Sequence, residues 1–334
     1  MKPSVHWVGG LHADVIWSNL RHQFGLKGYP EAPAATADIV CFSAGDPFWA
    51  DPGHPSEFVQ TVLHGSARVM IVERHEYGWC NYASGELRVQ NAWLGVADYG
   101  RDTDVSGGRH AAKHESLARL CREIEPSRLL YFRREYFRGF PYPDFVHPIN
   151  FHLGPVPKLA TFEEFRKRPL DLMCVWGETH DHRRIVGETL KRGLAEGWLR
   201  GDVRSPVYAG MPGRLPGGEG YRQPHERARM FVTADGHGLG GGREWELVTT
   251  ALMVRKRSWM VIPNEFEHGL TCLQWGGAND PDPEGLVELL RAWKDREADL
   301  YRVFEAGYHH AVRYHTAEAR ADYAEERMRD RGWT

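Results

Sequence analysis

The chain has 334 residues, 42% of them hydrophobic, and a formal net charge of −3. That is enough for two domains of ordinary size, and it gives no general pull towards nucleic acid or anionic membrane. Cys41, Cys80, Cys121, Cys174 and Cys272 stand singly with no CxxC pair, which suits buried free thiols in a reducing compartment better than a disulfide framework.

Short apolar runs alternate with segments of helical period. "SVHWV", "DIVCFS", "ARVMIVE" and "RLLYF" read as buried strands of a first half, each closed by polar or glycine-containing turns. "MKPSVHWVGGLH" contains no signal-peptide apolar region, and no uninterrupted apolar span is long enough to cross a bilayer. The expectation is therefore a cytoplasmic protein. Gly9 and Gly10 follow the first strand, with His12 and Asp14 just after. A glycine pair there lets a substrate approach the backbone, and a nearby imidazole or carboxylate can deprotonate a hydroxyl. An ordinary β–α turn, with Asp14 near the helix start, accounts for the same residues. Asp46 and Asp51 after the second strand, and Glu73, His75 and Glu76 after the third, compete for the role of base. Histidine is the commoner base near neutrality, which favours His12 and His75.

Further along, "RLCREIEPSRLLYFRREYFRGF" concentrates Arg119, Arg122, Arg128, Arg133, Arg134 and Arg138 among aromatics. Such a run can bind an anionic partner or stacked bases; the interspersed Glu123, Glu125 and Glu135 favour a solvated, ion-paired face. Prolines at 141, 143, 148, 155 and 157 then rule out a continuous helix or central strand, so residues 140–158 are a candidate linker. "DLMCVW", "RMFVTA", "SWMVIP" and "LTCLQW" supply the strands of a second half. Helical stripes run through Val186, Leu190 and Leu194, through Trp245, Val248 and Leu252, and through Leu286, Leu289, Leu290 and Trp293. The last has a good start, with Asp282 as N-cap and Pro283 at the first helical position. Alternating β and α elements predict parallel sheets covered by helices, in two units spanning 1–155 and 165–328.

"TADGHGLGGGREWELVTT" (233–250) packs five glycines between a strand and a helix. Glycine is costly to order, so the cluster marks tight turns or a backbone that a ligand must approach. Phosphate is one such ligand, drawn by free N–H groups and a helix dipole. The run lacks GKS/GKT and a clean dinucleotide fingerprint. Arg243 and Glu246, in "RExE", are placed to pair with a diphosphate and to accept hydrogen bonds from ribose hydroxyls; a solvated charge pair is the plain alternative. Metal sites look poor: His180 and His182 share a face on neither strand nor helix, and Asp102 and Asp104 sit in a polar, glycine-rich stretch. No metal is expected.

The ordered set "RPLDLMCVWGETHDHRRIVGETL", "GHGLGGGREWELVTTAL", "WMVIPNEFEHGLTCLQW" and "HHAVRYHTAEARADYAEERM" resembles the C-terminal domain of GT-B glycosyltransferases of the CgeB-like and exostosin-like group. The resemblance covers about residues 168–328 and is carried by Gly177 and Arg183, by Gly238, Arg243 and Glu246, and by His315, Thr316 and Arg320. The glycine loop is longer and richer than that group's. The resemblance implies two facing Rossmann-like domains with a cleft between them, and a hexosyltransferase-like, metal-independent transfer of sugar from a nucleotide-sugar donor. The acceptor would be a carbohydrate or other hydroxyl-bearing molecule on the N-terminal domain; the charge balance gives a nucleic-acid acceptor no support. No cofactor is implied beyond the donor substrate. Val175, Trp176 and Gly177 would border the base or ribose, and residues 236–243, with Gly238, Gly240, Gly241 and Arg243, the diphosphate. Asn264 and Glu265 would border the sugar. The rival readings are a nucleotide-sugar epimerase on the same fold and a non-catalytic nucleotide-sugar or carbohydrate-binding protein.

Overall fold

A computed structural model describes residues 2–8, 15–43, 65–72, 80–81, 86–87, 123–134, 136, 138, 142–176, 181–204, 219–234, 242–258, 260–277 and 282–334. Two five-stranded parallel sheets organise them. The first half contributes β1 (Val5–Val8), α1 (Val15–Leu26), β2 (Ile39–Ser43), β3 (Arg68–Val72), a short antiparallel ribbon of β4 (Cys80–Asn81) and β5 (Glu86–Leu87), then β6 (Leu129–Arg133) and β7 (Val146–Pro148). Its sheet runs β1-β2-β3-β6-β7, in chain order. β3 and β6 are apolar almost throughout and buried almost end to end, as expected of parallel strands covered on both faces. β7 forms inside the proline-rich segment that sequence assigns to a linker. It is the edge strand, where the missing N–H of Pro148 costs no ladder bond.

The second half contributes α2 (Phe162–Arg166), β8 (Leu170–Val175), α3 (Asp181–Ala195), β9 (Gly201–Arg204), α4 (Glu219–His225), β10 (Ala228–Thr233), α5 (Gly242–Leu247), β11 (Leu252–Lys256), β12 (Leu273–Trp275), α6 (Pro283–Trp293), α7 (Glu297–Tyr314) and α8 (Ala317–Asp330). Its sheet runs β12-β11-β10-β8-β9, so the chain steps outward from β8 to β9 and then reverses to fill the other side. Ligands of doubly wound sheets bind where such a reversal parts the crossovers, at the carboxyl ends of the strands. Here that crevice lies between β8 and β10.

Two expected elements differ. The stripe Trp245, Val248, Leu252 is not one helix, because α5 stops at Leu247 and Leu252 opens β11. "SWMVIP" is not a sheet strand either; the place beside β10 belongs to "LMVRK", all five residues of which are buried. The α6 start is as expected: the Asp282 carboxylate accepts from Gly285 N at 3.0 Å, with Pro283 in the first turn.

One face of the first sheet packs on α1 through Ile16, Leu20 and Phe24, and on α8 through Ala321, Ala324 and Met328. α8 is thus the last helix in the chain but buries its apolar side in the first half's core. An ion pair and a hydrogen bond fasten it there, with Lys2 Nζ and Tyr29 Oη donating to Glu325 at 3.0 and 2.9 Å. α7 stays with the second sheet, burying Leu300, Val303, Phe304, Gly307 and Ala311. A Cβ at Gly307 would fall 2.3 Å from the Thr271 carbonyl oxygen, so the helix approaches that turn as closely as only glycine allows. Cys41, Cys174 and Cys272 are buried free thiols; burial pushes Cys272 up to about 12, which leaves it unreactive.

Candidate functional site

The crevice is bridged by its own residues. Arg183, in the first turn of α3, donates from Nε to the Ala234 carbonyl at 3.2 Å, joining the helix that follows β8 to the end of β10. Beneath it, Trp176 is 3% exposed and its indole N–H meets no acceptor among the described residues. On the other side, Thr233 Oγ1, at the end of β10, donates to Glu244 Oε1 at 3.1 Å. Glu244 also stands 3.7 Å from Arg255 on β11, with both side chains buried. The short helix after the glycine run is therefore pinned to two strand ends by Glu244.

β11 ends in Arg255 and Lys256, Arg257 follows it, and a cleft of about 170 Å³ opens at the carboxyl ends of β11 and β12. Arg138, Arg255, Arg257, Ser258, Glu265 and Gln274 give it polar walls; Met260, Ile262 and Phe266 give it apolar ones. Arg138 comes from the first half, and its Nη2 lies 2.7 Å from both Glu265 carboxylate oxygens. Val261 N donates to the Tyr136 carbonyl at 2.7 Å, so the two halves meet at this cleft through side chain and backbone.

The "HT-x-x-x-R" motif assembles a junction rather than a pocket wall. Thr316 caps α8, its hydroxyl accepting from Ala319 N at 3.1 Å. His315 is fully buried, stacked on Phe266 at 4.9 Å between ring centroids, and its Nδ1 accepts from Arg320 Nη2 at 2.5 Å. Arg320 lies over the Trp245 ring at 5.5 Å. Burial, reinforced by Arg320, holds the His315 imidazole well below the usual range, so it stays neutral and can accept that bond. The His315 carbonyl accepts from Leu153 N at 2.8 Å, tying the turn between α7 and α8 to the segment that joins the halves.

Of the residues that sequence nominates, His12, Asp14, His75, Gly177, Gly238, Gly240 and Gly241 lie outside the described residues. Arg243 is the second residue of α5, directly after the glycine run, and Glu246 is exposed on the same helix. Asn264 adopts a left-handed φ of 56°, and its carbonyl oxygen is 2.9 Å from His310 Nε2. Glu265 follows at the cleft. Sequence reading missed Glu244, Arg255 and Arg257. Their signal was available in "RKR" at the end of an apolar run, where a strand delivers charge to its carboxyl end. Among the described residues no group of three or more His, Cys, Asp or Glu gathers as a metal site would, and no helix is long and apolar enough to cross a membrane.

No family model and no curated protein matches the chain. Among solved structures it is similar to a glycosyltransferase from Rickettsia africae ESF-5, with 9% identity, 97% of this chain and 83% of that one covered, and a TM-score of 0.49. It is also similar to Anabaena Alr3699/HepE in complex with UDP, with 8% identity, coverage of 99% and 100%, and a TM-score of 0.48. A third is spinosyn forosaminyltransferase SpnP, with 13% identity, coverage of 97% and 98%, and a TM-score of 0.41. The class assigned to this chain, an α/β protein of two parallel five-stranded sheets, rests on its own strand order.

Proposed function

We propose that the chain is a glycosyltransferase that moves a sugar from a nucleoside-diphosphate donor to an acceptor hydroxyl without a metal ion. The observation that carries this reading is the strand reversal between β8 and β10. In this reading the loop with Gly177, which follows β8 in the chain, and the glycine run with Arg243, which follows β10, take the nucleotide that a doubly wound sheet binds at such a reversal. The division follows the units 1–155 and 165–328, with α8 reaching back onto the first.

In this reading Gly238, Gly240 and Gly241 bring backbone N–H groups to the diphosphate, and Arg243 pairs with it. Glu246 takes the ribose hydroxyls, and Asn264 and Glu265 border the sugar. In the reaction the acceptor oxygen bonds the anomeric carbon while the bond from that carbon to the diphosphate oxygen breaks. The departing electron pair leaves on the diphosphate, where Arg243 and the N–H groups stabilise the growing charge. The acceptor proton passes to a base of the first half, with His12 first in rank and Asp14 and His75 behind it. The cellular setting proposed is the cytoplasm.

A thermal-shift screen of the full chain against nucleoside diphosphates tests the reading. A ligand at 100 times its Kd adds about 2.7 kcal/mol of stability, so at least one base should raise the melting temperature by several degrees. A flat response to every base at millimolar ligand would overturn it.

A further inference from the structure

The cleft at the ends of β11 and β12 holds one guanidinium more than its own carboxylates match. Arg255 is countered by Glu244, and Arg138 by Glu265. Arg257, the residue after β11, lines the same cleft, is exposed, and has no carboxylate within ion-pair distance among the described residues. Beside it, Ser258 Oγ accepts from Met260 N at 3.1 Å, which leaves the hydroxyl proton to donate elsewhere. An exposed guanidinium next to a free hydroxyl donor recognises a planar or tetrahedral oxyanion, the guanidinium by two parallel bonds. Met260, Ile262 and Phe266, each almost fully buried, form the apolar part of the cleft wall.

This place is separate from the crevice. The middle of the β8–β10 pair and the middle of the β11–β12 pair lie two strand spacings apart, about 10 Å, too far for one diphosphate to occupy both. We propose that the substrate carries a second acidic group, a carboxylate or phosphate on the sugar side of the reaction, which seats on Arg257 and Ser258. The proposal rests on the glycosyltransferase reading. Arg138 and Glu265 position this group rather than bind it first. Glu265 is itself aligned by Ile262 N, which donates to its Oε1 at 3.3 Å, and it holds the first half's arginine over the cleft. An anion seated there therefore meets residues of both halves.

The acid has two sources, the transferred sugar or the acceptor, and calorimetry on the full chain separates them. One arm compares the glucose and glucuronic acid conjugates of whichever nucleoside diphosphate stabilises the protein. The other adds glucose 6-phosphate and glucose in turn to protein saturated with that nucleoside diphosphate. In one arm the acidic ligand should bind about 10- to 100-fold more tightly than its neutral partner, the worth of a charge-assisted contact. Arg257→Ala should abolish that preference without changing affinity for the bare nucleoside diphosphate. Equal binding of acidic and neutral ligands in both arms would overturn the proposal and leave the glycosyltransferase reading intact. So would a preference that survives Arg257→Ala. Failure of every nucleoside diphosphate to bind would overturn both.

Discussion

The two ends of the second sheet both bury arginine, and they treat it in opposite ways. At the amino ends of β8 and β10, Asp171 and Arg229 are 3% and 2% exposed and pair with each other. Arg200 adds a bond to Asp171 at 2.9 Å, and Arg229 reaches Glu297 at 3.1 Å. Burial works to raise the Asp171 carboxyl, but the hydrogen bonds from Arg200 and Arg229 outweigh it and hold it below the usual carboxylate range. Each charge there is spent on another. At the carboxyl ends, Arg255 pairs with Glu244 and Arg138 with Glu265, while exposed Arg257 in the same cleft has no carboxylate at ion-pair distance among the described residues. A sheet end whose charges are closed on themselves supports the fold; one that leaves a charge open supports the anion site proposed above.

The largest effect expected from this contrast is at the closed end. Asp171→Ala strips Arg229 of its buried partner, and breaking such a pair costs about 3–5 kcal/mol. Urea denaturation should show a loss of that size. Arg257→Ala, at the open end, should stay within about 0.5 kcal/mol of the parent, as surface changes do. Equal losses at the two ends would erase the distinction.

Next in size is ligand binding. Arg243→Ala should weaken all nucleoside diphosphates by about 1.5–3 kcal/mol with little change in stability, and Glu246→Gln should chiefly reduce discrimination between ribose and deoxyribose. Asp171→Ala protein, measured below its melting temperature, should bind like the parent. Calorimetry in which Arg243→Ala and Glu246→Gln both bind normally would remove the proposed crevice contacts.

The contrast also explains how much the sequence disclosed. Alternating apolar runs and helical stripes located seven of the strands in the two sheets, because buried parallel strands are nearly continuous in Val, Ile, Leu, Met and Phe. β11 escaped because Arg255 and Lys256 interrupt its apolar run, although both are buried at the strand's end. Its first residue, Leu252, was instead counted in the helical stripe of Trp245 and Val248. β7 escaped because proline speaks against strands and says nothing of which strand is at the edge. The packing of α8 on the first sheet was also invisible: its heptad-like alanines look the same whichever half they face. Sequence can nominate a site where glycine and arginine cluster locally, as at 236–243, but not one whose partners are far apart in the chain, as with Arg138 and Glu265.

Acid should act first not on the ion pairs of either end but on buried histidines. His147 is lowered to about 4 by burial, with Arg327 and Arg331 adding to it; His152 is lowered by burial and then by Arg320; and His315 follows for the same reasons. All three are neutral in the folded protein, whereas the unfolded chain takes up their protons below about pH 6.5. The unfolded state then binds more protons, so stability rises with pH. It should be complete above about 6.5 and decline from there towards pH 4. Asp171, held low, remains ionised across that window. Urea midpoints at pH 7.5, 6 and 5 check this, and a flat series would contradict it.

The smallest expected effect is none at all, on removal of divalent metal. A metal ion at a departing diphosphate supplies positive charge where negative charge develops. In the proposed function that charge comes from Arg243, the second residue of the helix after the glycine run, together with the N–H groups and dipole of that helix end. Permanently charged side chains on strand and helix ends can do a metal's electrostatic work without its binding equilibrium. Turnover should therefore be the same before and after dialysis against EDTA, and should instead fall with Arg243→Ala. Should activity vanish on chelation and return with magnesium or manganese, the open end's cations serve some other anion. Asp102 and Asp104, outside the described residues, would then be the first carboxylates to replace.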